Sequence, residues 1–66
     1  MDELLTTAEA AEYLRQTPSA LNQWRVARRG PRFVRIGKRV LYRQSDLTAF
    51  VDASVVVERA VVAEAS

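Results

Sequence analysis

The chain has 66 residues, a formal net charge of +2, and neither cysteine nor histidine. That length holds one small domain, and the missing ligands exclude disulfide staples, zinc fingers and haem ligation, so no metal and no cofactor are expected. No apolar run approaches the ~18–20 residues of a membrane span, and Asp2 and Glu3 do not suit a signal peptide, so a soluble, cytoplasmic protein is expected.

Thr6-Thr7-Ala8-Glu9 has the form of a capping box: a threonine that accepts from an early helical N–H, and a glutamate that reaches back to it. Leu5 before the cap can pack on Ala10. Ala10, Ala11 and Leu14 recur at helical spacing, so a first helix is expected over 7–14. Thr17-Pro18 is the next start signal, because proline fits the first helical position, where its missing N–H costs nothing. The second helix is expected over 18–28, ended by Gly30-Pro31. Two short helices joined by a tight turn read as a helix-turn-helix.

Residues 32–36 and 40–43 are rich in β-branched and aromatic side chains and flank Gly37, which reads as a hairpin. A three-residue loop would set Ile36 opposite Val40 and gather Val34, Ile36, Val40 and Tyr42 on one face, so that register is expected. Lys38 and Arg39 then sit at the tip. Ser45 is expected to cap a third helix, with Asp46 in its first turn and Leu47, Phe50 and Val51 on its inner face. The fold class expected is mainly α with a small β-hairpin, a winged helix-turn-helix over 1–53. A Val-rich tail over 54–66 follows, able to extend the third helix, add a strand, or fray.

The net charge conceals a segregation by segment. Nine of the ten Lys and Arg residues lie at positions 15–43, and all eight acids lie outside that window. A surface of mixed sign would keep a protein in solution equally well. An acid-free window reads better as a footprint for nucleic-acid phosphate. At 100° per residue, Leu21 and Trp24 fall on one side of the second helix, and Ser19, Asn22, Gln23 and Val26 on the other. Asn and Gln can pair bidentately with adenine in the major groove, and Arg can reach guanine or a phosphate. The candidate recognition-helix residues are therefore Ser19, Asn22, Gln23, Arg25, Arg28 and Arg29. The candidate wing residues are Arg35, Lys38, Arg39 and Arg43. Trp24, Tyr13 and Tyr42 are assigned to packing. No catalysis is expected: without histidine a Ser or Thr nucleophile has no ordinary base, and the pair Glu9 and Glu12 belongs to a helix start.

Leu5-Thr6-Thr7-Ala8-Glu9-Ala10-Ala11-Glu12-Tyr13-Leu14 resembles the opening helix of small MerR-like winged-helix proteins. Arg32-Phe33-Val34-Arg35-Ile36-Gly37-Lys38-Arg39-Val40-Leu41-Tyr42 resembles their wing, and Ser45-Asp46-Leu47 with Phe50 the start of their closing helix. Short chains in that superfamily are typically phage excisionases, also called recombination directionality factors, or small transcription regulators. The excisionase resemblance implies a non-catalytic architectural protein that bends attachment-site DNA. Its implied partners are double-stranded DNA, neighbouring copies of itself and a phage integrase; no membrane or small-molecule ligand is implied. The same resemblance implies that Ser19, Asn22, Gln23 and Arg25 face the major groove and that Lys38 and Arg39 are wing contacts. Arg15 stands where many relatives carry glycine. Two other readings are a MerR-like transcription regulator and an interaction module that binds an acidic protein.

Overall fold

In a computed structural model, which describes residues 2–56, the chain runs β1 (Leu4–Thr6), α1 (Thr7–Leu14), α2 (Pro18–Val26), β2 (Val34–Ile36), β3 (Arg39–Arg43) and α3 (Gln44–Ala53). Three helices pack with an antiparallel sheet of order β1-β3-β2, the architecture of a winged helix-turn-helix. The expected hairpin is there, and β1 is an addition to it. Leu5 pairs with Tyr42 in the added ladder, so the start of the domain is stitched to the strand that leads into its last helix.

The helix starts follow their chemistry. Thr6 Oγ1 accepts from the Glu9 N–H at 3.1 Å while the Thr6 N–H donates to Glu9 Oε1 at 2.9 Å. Thr17 Oγ1 accepts from the Ala20 N–H at 3.1 Å, with Pro18 at the first helical position. Each such cap is worth ~1 kcal/mol.

The helix ends are less ordinary. Arg15 takes the left-handed conformation (φ 61°, ψ 38°), and the Gln16 N–H reaches back to the Ala11 carbonyl at 2.8 Å. This is a Schellman closure with arginine in the place that favours glycine. Left-handed geometry costs a non-glycine residue ~1–2 kcal/mol, and glycine's extra freedom in the unfolded chain returns ~0.5–1 kcal/mol of that. Arg15→Gly is therefore expected to raise stability by ~0.5–1 kcal/mol, visible as a higher urea midpoint at unchanged slope. A lower midpoint would show that the Arg15 stem contributes packing that outweighs the backbone strain.

The hairpin register differs from the one expected. Ile36 pairs with Arg39, Arg35 with Val40 and Val34 with Leu41, so the loop is the two residues Gly37-Lys38. Gly37 has φ 60° and Lys38 has no positive φ, the pattern of a type II′ turn with glycine first. The mixing of faces that argued against this register carries little cost. The wing tip projects past the core, leaving Ile36 53% exposed and Arg39 exposed beside it. Deeper in the hairpin Tyr42 is buried and Val40 packs against the core.

Ser45 does not cap α3. β3 runs straight into the helix, which begins at Gln44, and Ser45 falls in the first turn. Its N–H donates to Asp2 Oδ1 at 3.1 Å and its hydroxyl to Asp2 Oδ2 at 2.7 Å. Asp2 thus caps α3 from 43 residues away in sequence. The Ser45 hydroxyl, then its backbone N–H, hold the Asp2 carboxyl below its ordinary pKa of 3.8. A depressed carboxyl contributes stability above its ordinary pKa and loses it as pH falls through the lower folded value. Wild-type protein should therefore lose stability on acidification below about pH 4 more steeply than Asp2→Asn. Identical acid limbs in thermal melts would remove Asp2 from the caps.

The core is Ala10, Ala11, Leu21, Tyr42 and Leu47, with Leu5, Leu14, Trp24 and Val40 packed against it. Trp24 meets Phe50 at 5.6 Å between ring centroids, worth ~0.5–1.5 kcal/mol beyond the area buried. Tyr13 and Val51, expected to pack inward, are 46% and 42% exposed. They flank the outer rim of the α1–α3 packing, where so small a core leaves them half uncovered. α3 ends at Ala53, with Ser54, Val55 and Val56 exposed beyond it. The rest of the Val-rich tail, 57–66, lies outside the described residues.

Candidate nucleic-acid interface

α2 divides as its periodicity requires. Leu21 is fully buried and Trp24 half-buried, whereas Ser19, Asn22, Gln23 and Val26 are all exposed. These four occupy positions i, i+3, i+4 and i+7, a single stripe along the helix. With Ala27 they border a shallow depression of about 320 Å³. The stripe offers amide and hydroxyl groups and no charge, which suits base edges better than phosphates.

Arg25 sits beside the stripe but faces the wing. Its Nη1 donates to the Tyr42 hydroxyl at 2.9 Å, and its Nη2 donates to Asn22 Oδ1. Its guanidinium also lies 5.8 Å from the centroid of the Phe33 ring. Arg35 approaches the same ring at 5.8 Å, and Phe33 meets Tyr42 at 6.2 Å. One aromatic pair therefore ties the helix arginine to the wing arginine. Expected to face the major groove, Arg25 is turned to the wing, which gives it a positioning role that periodicity could not show. Asn22 accepts from Arg25 through its carbonyl oxygen and is itself exposed.

Arg28 and Arg29 were expected on the recognition helix and are not on it. α2 stops at Val26 because Arg28 turns left-handed (φ 61°) and the Arg29 N–H donates back to the Trp24 carbonyl at 2.8 Å. The chain then passes Gly30 (φ 90°) under the Trp24 ring. This path swings both arginines into a cleft of about 450 Å³, which Arg25, Arg32 and Phe33 also line. Four guanidinium-bearing side chains around one opening make the strongest concentration of positive charge in the acid-free window. Arg32 was not among the candidates, although its place one residue after Gly30-Pro31 and inside that window was the available signal.

On the wing, Lys38 is the second loop residue and Arg39 the first of β3, both exposed. Nothing lies within 4 Å of where a Gly37 side chain would start, so the tip stands in open space. Arg43 differs from the rest. Its Nε and Nη2 donate to the two Asp46 oxygens at 2.7 and 3.1 Å, and this partner raises its pKa further. It is the one ion pair among the described residues, so Arg43 offers the least unpaired charge of the wing candidates.

The family model for the helix-turn-helix domain matches residues 4–54. The chain belongs to that family. No curated protein and no solved structure matches it. As a helix-turn-helix, α1 is the supporting helix, Arg15-Gln16-Thr17 the turn, and α2 the helix that such DNA-binding domains present to the major groove. No helix among the described residues is long and apolar enough to cross a membrane.

Proposed function

We propose that this helix-turn-helix chain is a non-catalytic architectural DNA-binding protein of the MerR-like excisionase kind. It binds neighbouring sites in a phage attachment region, bends the DNA and directs an integrase toward excision. The observation that carries the reading is the uncharged stripe of Ser19, Asn22 and Gln23 beside the arginine-lined cleft. Base readout and phosphate anchoring then lie side by side, which sequence-specific binding requires. The reading is non-catalytic because, with neither histidine nor cysteine, a Ser or Thr nucleophile has no ordinary base.

The architectural role rests on the resemblance and on an energy argument. Bending a short site by 40–90° costs on the order of 1–6 kcal/mol. A single domain with one stripe and one small wing offsets that poorly, and several copies side by side offset it together. Charge segregation gives those copies a means of contact. Among the described residues, Asp2, Glu9 and Asp46 are engaged in hydrogen bonds within the domain, which leaves the exposed Glu3, Glu12 and Asp52 to face a neighbour's arginines.

A mobility-shift titration on duplexes tiling the DNA around the chain's own gene tests the reading. A cooperative ladder on one region is expected. A single band at a promoter would favour a transcription regulator of the same fold. No shift even at low salt would mean the basic face serves an acidic protein instead. On the shifted region, Gln23→Ala is expected to weaken binding by ~1–3 kcal/mol while leaving random duplex unaffected. Equal losses on both would take Gln23 off the base edges.

A further inference from the structure

We infer that Val26 is a specificity residue that reads the 5-methyl group of a thymine, so that the site bound by α2 carries a thymine beside the bases met by Asn22 and Gln23. The inference rests on the DNA-binding reading and adds a base to it.

Val26 is 85% exposed, the most exposed large apolar side chain of the described residues. A single exposed valine is ordinary on a protein surface, so exposure alone says little. Its placement says more. Val26 is one turn on from Asn22 and completes the stripe of Ser19, Asn22 and Gln23. The other exposed apolar side chains of the described residues lie off this stripe: Tyr13, Val51 and Val55 border one groove between α1 and α3, Val56 follows α3, Leu4 is in β1, Ile36 is on the wing, and Phe33 lines the arginine cleft. Val26 is thus the one large apolar group on a face otherwise built to hydrogen-bond.

The chemistry of the surroundings selects the occupant. A face flanked by Arg25, Arg28 and Arg29 and free of acids attracts a polyanion rather than an apolar peptide. On the major-groove floor of a DNA duplex the apolar feature is the thymine methyl. A β-branched side chain in a helix is held in one rotamer, so Val26 meets such a methyl with little entropy to lose. Ala27 beside it adds no bulk, which leaves the depression shallow and open to a base edge.

The test replaces thymine by deoxyuridine, which removes the methyl and leaves the pairing unchanged. Duplexes are first enriched from a randomised pool with the full chain, and each thymine of the winning site is then exchanged singly. At one position deoxyuridine should weaken binding about fourfold, the worth of one buried methyl. Val26→Ala should bind the thymine and deoxyuridine duplexes alike at that position. Alanine is the better helix former, so loss of fold does not confuse the outcome. Enrichment with every deoxyuridine exchange neutral, or discrimination that survives in Val26→Ala, overturns the assignment and leaves the DNA-binding reading standing. Failure to enrich any duplex over the starting pool overturns both.

Discussion

Gly30→Ala is expected to leave the domain largely unfolded at room temperature. Two costs coincide at this residue. Its φ of 90° is a conformation that L side chains rarely adopt, worth ~1–2 kcal/mol. A Cβ there would also stand 2.7 Å from Trp24 Cε3 and 3.0 Å from Trp24 Cβ. Trp24 is pinned between the core and Phe50, so it cannot yield without disturbing both, and overpacking of this kind costs ~1–3 kcal/mol. Together, at ~2–5 kcal/mol, they remove most or all of the ~3–5 kcal/mol that a core of this size supplies. Far-ultraviolet circular dichroism and the emission of the single tryptophan report the loss directly. Gly37→Ala is the internal comparison. It shares the positive φ but meets nothing within 4 Å, so it should lose only the backbone part. Equal melting temperatures for the two variants would show that Trp24 moves aside freely and that the Gly30 contact is no constraint.

The second large effect concerns binding. Replacing Arg28, Arg29 and Arg32 together by alanine empties the cleft of its three loop arginines and leaves Arg25 on Tyr42. If each holds one phosphate, the slope of log K against log salt should fall by about 2.7, that is ~0.9 per contact. At 0.15 M salt this amounts to a loss of roughly a hundredfold, on specific and random duplex alike. None of the three is buried, so the fold should survive. An unchanged slope would empty the cleft of phosphate and leave the wing as the principal anchor. A loss confined to the specific duplex would instead place one of these arginines on a guanine.

What could be read from the sequence was local. Thr6 with Glu9 and Thr17 with Pro18 start helices through contacts made within four residues, and both lay where the pattern put them. The outward stripe of α2 followed from helical period alone. What could not be read depended on distant partners. β1 is three residues long, too short for a period, and exists because Arg43, Tyr42 and Leu41 lie beside it. Arg25 reads as a flank arginine until Tyr42, 17 residues on, is brought to its guanidinium. The left-handed geometry of Arg28 carries no mark in the sequence, and so α2 ends two residues before the end its pattern predicts. The wing register failed for a different reason. Alternation has no hold at a tip that lies beyond any core, where Gly37 at the first turn position decides.

The Arg25–Tyr42–Phe33–Arg35 assembly has a consequence for how DNA would be shaped. It braces the reading helix against the wing through one hydrogen bond and the contacts around Phe33, and so favours one span between them. Following a duplex whose grooves depart from that span would break those contacts. In the proposed architectural role the duplex must therefore be the compliant party. Pliant pyrimidine–purine steps between the two points of grip would be favoured over stiff A-tracts, although no side chain touches them. The protein would then select for mechanics at the very base pairs it leaves alone.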